Sequence, residues 1–132
     1  MRTDRTNFLN DIKQESLGIV NEFTSIEEQF QNKTLRPILK FQNELLLQFF
    51  ISYATKNKEV FFNLSTSNKE KYIENSLQSD TVFRNQSIGI IVGLFSIEEY
   101  YEYKKNTSNL NKRILNMLIE RWKSQLQLLD NK

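Results

Sequence analysis

Apolar residues recur every three or four positions through the last part of the chain, which is the period of one face of an α-helix. The spacing predicts a long helix over residues 110–129, with charged side chains on its remaining surface. We expect this helix to pack its apolar face into the core. Its apolar positions are Leu110, Ile114, Met117, Leu118, Trp122, Leu126 and Leu129.

A second long helix is predicted over residues 35–56, where apolar residues cover most of the circumference. Residues 32–34 precede it as a turn. Thr34 is a suitable N-cap, and Pro37 then falls in the first turn, where its missing N–H costs little. A helix that is apolar nearly all round is buried from several sides, so this one is expected at the centre of the domain.

The longest apolar run, residues 88–95, lies in a helix predicted over residues 81–95, with Asp80 as its N-cap. Gly89 and Gly93 are four residues apart and share one face of that helix, so another backbone can approach closely there. The pair predicts a close helix contact inside the domain or an interface between molecules. The β-branched residues of this run also suit a strand, but their helical surroundings disfavour that alternative.

The sequence Ser-Ile-Glu-Glu occurs twice, beginning at Ser25 and at Ser96, and has the form of a helix capping box. It predicts a short helix after each serine, the second of which runs to Lys105. Each copy precedes a polar turn and a long helix, which is consistent with a decayed duplication. The alternative is chance recurrence of a common cap. Further helices are predicted over residues 4–22 and 69–77.

These patterns predict an all-α fold, an irregular bundle of about five to seven helices in a single domain spanning residues 1–132. The two long helices, 35–56 and 110–129, form its core, and the 81–95 helix packs against them. The composition agrees with this fold, because three glycines and one proline are too few for a turn-rich β structure.

The composition also excludes several kinds of chemistry. The absence of cysteine excludes disulfides, thiol nucleophiles and zinc–thiolate sites, and the absence of histidine removes the commonest general base and transition-metal ligand. We therefore predict no cofactor and no metal site. The polar N-terminus and the shortness of the longest apolar run predict a soluble, cytoplasmic protein that does not enter a membrane.

The charges are nearly balanced, with 18 basic and 16 acidic side chains and a net charge of +2. Nucleic-acid-binding proteins show a basic stripe, and no such stripe is evident over the chain as a whole, so nucleic-acid binding is not favoured. The last helix is the exception, because its surface carries several basic residues. These residues are Lys112, Arg113, Arg121 and Lys123.

Arg84 is the strongest candidate for contact with a ligand, together with Gln86 and Tyr100. Its position on the predicted helix is beside the core, where a guanidinium needs a carboxylate or a carbonyl partner. The identity of that partner decides between a ligand-binding arginine and a structural ion pair. The candidate carboxylates are Glu44, Glu98 and Glu99.

The leading functional hypothesis is a non-catalytic interaction or structural module that acts as a homodimer or through a protein partner. It rests on the missing catalytic chemistry and on more aromatic and leucine surface than one small bundle needs. One alternative is a small-ligand-binding domain, or a histidine-free enzyme, with a pocket near Arg84. The second alternative is weak nucleic-acid binding through the last helix.

Overall fold

The computed structural model describes residues 4–14 and 25–130, and every regular element in these ranges is helical. The predicted all-α bundle is therefore confirmed. Among the residues described, no helix combines the length and the hydrophobicity that a bilayer-spanning segment requires. The α-helices are α1 (Asp4–Gln14), α2 (Ile26–Phe30), α3 (Arg36–Phe41), α4 (Asn43–Lys56), α5 (Thr66–Ser79), α6 (Thr81–Val92), α7 (Ile97–Lys105) and α8 (Thr107–Lys123).

The core lies where α4, α5, α6 and α8 meet. Phe50 of α4 is fully buried, and the fully buried Trp122 of α8 packs against it with ring centroids 5.2 Å apart. Phe83 of α6 contacts both rings, at 6.1 Å from Phe50 and 5.8 Å from Trp122. The indole N–H of Trp122 donates to the carbonyl oxygen of Leu46 over 3.0 Å, which satisfies the polar edge of the buried ring. The predicted core helices therefore meet through stacked and edge-on aromatic rings.

The helix predicted over residues 35–56 is divided into α3 and α4. The prediction of a turn at residues 32–34 is wrong, because Gln31–Leu35 forms a π-helical segment that joins α2 to α3. At the end of this segment the Arg36 N–H bonds to the carbonyl five residues back. Pro37 explains the wider turn, since a proline ring clashes with the carbonyl four residues before it in a regular α-helix. The α-helical geometry then breaks at Gln42.

Burial around the central helix is less complete than predicted. Leu46, Phe50 and Ala54 are buried, but Phe41 and Leu45 are 53% and 51% exposed. The described neighbours of α3 and α4 pack on the other sides of this helix pair and leave one apolar edge uncovered. Burial from several sides therefore holds for this helix pair but does not extend to this edge, because an apolar circumference does not by itself supply enough neighbours to cover it.

The predicted starts of α6 and α7 are confirmed. Asp80 caps α6 by accepting the N–H of Phe83 over 3.1 Å. Ser96 caps α7 in a capping box, in which Glu99 accepts the Ser96 N–H. Ser25 caps α2, although the chain stays helical after this first Ser-Ile-Glu-Glu copy instead of turning, so the duplication remains a prediction.

Other boundaries differ by a turn or more. The helix predicted over residues 69–77 is the longer α5, which is capped by Ser65. The last helix ends at Lys123, before the predicted residue 129, and a 3₁₀ turn over Leu126–Leu128 follows it. The helix predicted over residues 4–22 is present to Gln14, and the rest of that prediction lies outside the described residues.

Glu99 fixes α1 to the rest of the bundle. Its Oε1 accepts from Lys13 Nζ over 2.6 Å and from the Ser96 N–H over 2.8 Å, and its Oε2 accepts from the Thr34 hydroxyl over 2.8 Å. Lys13 is only 6% exposed and also donates to the carbonyl oxygen of Leu94 over 3.1 Å. One carboxylate thus joins α1, the π-helical segment and α7, and Thr34 binds it instead of capping a helix.

Candidate functional site

A groove runs along α8 on the side that faces α2 and α3, and it encloses about 970 Å³. Leu39 and Met117 supply its apolar surface, and amide side chains such as Gln31 and Asn116 contribute much of the remainder. Four cationic and two acidic side chains also line it, so the groove carries an excess of positive charge. These charged residues are Glu27, Arg36, Lys112, Arg113, Glu120 and Arg121.

The helical period of α8 explains why one of its faces lines the groove. Ile114 and Leu118 are fully buried in the core. Arg113, Met117 and Arg121 follow each other at intervals of four residues and therefore share the adjacent face. The same pattern that buries the apolar stripe thus presents a row of groove residues beside it.

The basic residues of α8 do not all face the groove. Lys123 forms an ion pair and a hydrogen bond with Glu74 of α5. The hydrogen bond to Glu74 is the main reason why the pKa of Lys123 is raised. Part of the basic surface predicted from the sequence is therefore occupied by a contact between helices.

At the α2 end of the groove, the positive charge of Arg113 is already compensated. Arg113 lies 3.7 Å from a carboxylate oxygen of Glu27 and donates to the side-chain oxygen of Gln31 over 2.8 Å. The other Glu27 oxygen accepts from the Asn106 amide over 2.6 Å. These contacts hold the first turn of α2 against the start of α8. Lys112, the other cation near this end, is exposed and has no ion pair among the described residues.

At the opposite end, two guanidinium groups have only neutral partners. Arg36 donates to the side-chain oxygen of Asn32 over 3.1 Å, and Arg121 donates to that of Asn43 over 3.2 Å. In the part of the chain that the structure describes, neither arginine is paired with a carboxylate. A neutral amide positions a guanidinium without reducing its charge, so both arginines remain uncompensated cations.

The position of Arg121 depends on a reciprocal pair of amides. Asn43 donates to Gln125 over 2.8 Å and accepts from Gln125 over 2.8 Å. This pair ties the start of α4 to the chain just after α8. Burial lowers the pKa of Arg121, and the nearby charge of Arg36 lowers it further. The partly buried Arg121 and the exposed Arg36 therefore lie close enough to repel each other, and an anion between them would relieve this repulsion.

No family model, curated protein or solved structure matches this chain. Its function is therefore inferred from its own geometry and charge.

The sequence pattern identifies Lys112, Arg113 and Arg121 as a basic face but gives no sign of Arg36. That arginine is distant in sequence, and only the packing of α3 beside α8 brings it to the groove.

Arg84 has a structural partner. Its guanidinium donates to the carbonyl oxygens of Leu77 and Gln78 over 3.2 Å and 2.9 Å, at the end of α5. These carbonyls have no partner within their own helix, and a cation at a helix C-terminus also compensates the helix dipole. The structure thus supports the structural interpretation of Arg84, with carbonyls in place of the candidate glutamates.

The three residues predicted to share a pocket have separate surroundings. Gln86 is exposed and lines a smaller cavity of about 400 Å³ beside Tyr53 and Phe83. Tyr100 is 41% exposed on α7, with its ring 6.4 Å from that of Tyr103. Arg84 lies near the start of α6, whereas Tyr100 lies on α7, which follows the end of α6. No hydrogen bond between described residues joins the three, so the structure gives no support to the predicted pocket.

Gly89 and Gly93 do not mark a close contact between described helices. A Cβ placed on Gly89 would meet no atom within 4 Å, and one placed on Gly93 would lie 3.1 Å from the carbonyl oxygen of Gly89 in its own helix. Both residues are exposed. The predicted close crossing inside the domain is therefore wrong for the described part of the chain, and the interface between molecules remains a prediction.

We expect Gly89→Ala to raise the free energy of unfolding by about 0.5–1 kcal/mol, because alanine loses less backbone entropy inside a helix. Urea denaturation measures this change. Gly93→Ala is the matched control, and we expect no gain there because of the 3.1 Å contact. If the glycine face forms a homodimer, Gly89→Ala will instead reduce the mass measured by light scattering and lower the stability.

In the described ranges, no group of three or more acidic side chains is arranged to hold a metal ion. Glu98 and Glu102 of α7 are exposed, whereas Glu99 is engaged by Lys13, Ser96 and Thr34. The glutamates of α7 thus serve in capping and in the attachment of α1. The groove along α8 is the better candidate for a functional site.

Proposed function

We propose that this protein is a non-catalytic interaction module that receives an acidic segment of a protein partner in the groove along α8. The observation that carries the proposal is the pair of guanidinium groups at one end of the groove, Arg36 and Arg121, without a carboxylate partner among the described residues. Arg121 is partly buried and Arg36 is exposed. Guanidinium groups are favourable partners for carboxylates, because their planar donors match both oxygens.

The shape of the groove favours a chain segment over a small molecule. Along α8 its lining extends from Asn109 to Arg121, which corresponds to about 18 Å at 1.5 Å per helical residue. An extended peptide of about six residues has this length. Side-chain amides along the groove can both donate to and accept from a peptide backbone. Asn116 has no hydrogen-bond partner among the described residues and is available for such a contact.

The lining argues against a nucleic acid as the occupant. No aromatic side chain is part of it, because Trp122 is turned into the core. Single-stranded nucleic acids are bound chiefly by stacking on aromatic rings and by continuous positive charge. Glu27 and Glu120 interrupt the positive charge of the groove. Weak nucleic-acid binding through α8 is therefore treated as an outcome that the experiments below can detect.

The chemistry of the groove supports a binding role without catalysis. The chain has neither histidine nor cysteine, which are the residues that most often act as general base and as nucleophile near neutral pH. Of the two groove carboxylates, Glu27 is engaged by Asn106 and Arg113. The remaining polar groups are Glu120, amides, one serine and cations, which suit recognition.

We expect an acidic heptapeptide, with glutamate at three alternate positions, to bind at least about tenfold more tightly than its glutamine counterpart at low salt. Arg36→Gln and Arg121→Gln should each weaken binding several-fold, since each removes one uncompensated cation. Fluorescence anisotropy of labelled peptides measures the affinities, and circular dichroism shows whether each variant is folded.

Lys71→Gln and Lys104→Gln are the matched controls. Each removes one positive charge from an exposed site outside the groove, on α5 and α7 respectively. They should leave the peptide affinity within a factor of about two, because neither lysine lines the groove and an exposed charge acts on the peptide only through water. Equal losses for groove and control variants would show only nonspecific attraction and would contradict the proposal. Tighter binding of a single-stranded oligonucleotide would also contradict it.

A further inference from the structure

We propose that the anionic group bound between Arg36 and Arg121 is a phosphoryl group, carried by a phosphorylated residue of the partner segment. This inference rests on the function proposed above and specifies the chemistry of the occupant. It concerns the end of the groove near Gln125, since the other end already contains the Glu27–Arg113 pair.

Charge matching favours a phosphoryl group over a single carboxylate. Two guanidinium groups without acidic partners present two positive charges to the same volume. A carboxylate carries one negative charge, whereas a phosphate monoester carries about −1.5 to −2 at neutral pH. The phosphoryl group therefore compensates both arginines, whereas a carboxylate leaves one of them without a counter-charge.

The donors that remain on the two arginines also match a phosphoryl group. Each guanidinium has five N–H groups and uses one contact to a neutral amide, Asn32 for Arg36 and Asn43 for Arg121. Each guanidinium therefore keeps further donors for an anion. A phosphoryl group offers three strong acceptor oxygens, enough to bind both guanidinium groups at once.

Histidine is the side chain that ordinarily ionises in the range where a phosphate monoester does. The chain contains no histidine, and the charged groups that face the site are Glu27 from α2, Arg36 from α3, and Lys112, Arg113, Glu120 and Arg121 from α8. Carboxylates ordinarily ionise near pH 4, and lysine and arginine above pH 10. A change of affinity between pH 5.5 and pH 7.5 therefore reports the second ionisation of the ligand, whose pKa is about 6.

The test compares labelled heptapeptides that differ only at the central residue, which is phosphoserine, glutamate or serine. We expect the phosphoserine peptide to bind at least about tenfold more tightly than the glutamate peptide at pH 7.5. Its affinity should fall about fourfold at pH 5.5, because about a quarter of the phosphate remains doubly charged there when its pKa is about 6. The affinity of the glutamate peptide should stay constant over this range.

Variants test whether the two arginines cause the preference for phosphoserine and its pH dependence. Arg36→Gln and Arg121→Gln should remove both the preference for phosphoserine and the pH dependence, whereas Lys104→Gln should preserve them. Circular dichroism at both pH values confirms that the variants are folded. Retention of the preference in both groove variants would overturn the assignment of the phosphoryl group to this arginine pair.

The remaining outcomes separate this inference from the function on which it rests. Equal affinity for the phosphoserine and glutamate peptides would overturn the phosphoryl assignment and leave the acidic-segment function in place. No binding of any acidic peptide, including the tri-glutamate peptide, would overturn both. If inorganic phosphate displaces the phosphopeptide with an equal affinity, the site is one for the free anion, and the segment contributes nothing. A single-stranded oligonucleotide that binds more tightly than the phosphopeptide would also overturn the inference.

Discussion

We expect Trp122→Ala to lower the free energy of unfolding by about 3–5 kcal/mol, the usual loss when a large buried aromatic side chain is truncated. Trp122 is fully buried and contacts Phe50 and Phe83, which come from two other helices. The substitution leaves a cavity between α4, α6 and α8 and removes the hydrogen bond to the Leu46 carbonyl. Because a domain of this size is stabilised by about 5–15 kcal/mol, the variant loses a large part of its stability.

Urea denaturation followed by circular dichroism measures this loss, since Trp122 is the only tryptophan and its fluorescence disappears with it. Trp122→Phe is the conservative comparison, and we expect a loss of about 1–2 kcal/mol from the hydrogen bond and part of the packing. Tyr101→Ala is the exposed control, because Tyr101 is 63% exposed, and we expect a change within about 0.5 kcal/mol. Similar losses for Trp122→Ala and Tyr101→Ala would contradict the position of the core.

The second large effect is expected for Glu99→Ala, which should lower the free energy of unfolding by about 3–5 kcal/mol. Lys13 has a side chain that is only 7% exposed, and Glu99 is its acidic partner. Among the described residues, removing the carboxylate leaves a buried cation with one carbonyl contact, to Leu94, and leaves the Thr34 hydroxyl without its acceptor. The capping bond to the Ser96 N–H is lost as well.

Three further variants separate the components of this effect. Glu98→Ala changes an exposed glutamate in the same first turn of α7, and we expect a loss below about 1 kcal/mol from the helix dipole alone. Glu99→Gln keeps acceptors for Thr34 and Ser96 but loses the charge, so its effect should be smaller than that of Glu99→Ala. The double variant Lys13→Met/Glu99→Leu should recover part of the loss, because no unpaired charge remains.

The double variant also tests whether Lys13 and Glu99 act together. If the ion pair holds α1 to the bundle, the effects of Lys13→Met and Glu99→Leu will be strongly non-additive. Additive effects would show that the two side chains act independently, and the description of Glu99 as the attachment point of α1 would then be wrong. Hydrogen exchange of α1 amides gives a second measurement, since α1 should exchange faster in Glu99→Ala while the core of α8 stays protected.

Local signals in the sequence were sufficient for much of the secondary structure. The caps at Asp80 and Ser96 are made by side chains that bond to backbone groups three residues away, so a few neighbouring residues determine them. The apolar period of α8 is equally local, and Leu110, Ile114 and Leu118 are buried as the spacing predicts. The same period also fixes which basic residues share the groove face.

Interpretations that depended on a partner elsewhere in the chain were less successful. Arg84 was recognised as an arginine that needs a partner, but its partners are backbone carbonyls, which have no signature in the sequence. The sequence pattern identifies Glu99 only as a capping residue. Nothing in the sequence around it indicates that Lys13 is its ion-pair partner. The spacing of Gly89 and Gly93 permits a close contact but does not supply the neighbouring helix that would make one.

The sequence by itself determined the all-α class, most helix starts and the buried stripe of α8, because each follows from contacts within one or two turns. Only the tertiary structure decided which residues line the groove and which of their charges are compensated. It places Arg36 of α3 beside Arg121 of α8, anchors them through Asn32 and Asn43, and compensates Arg113 but neither of these two arginines. The physical reason is that the charge of a site is the sum over side chains brought together by packing, and local periodicity carries no information about that sum.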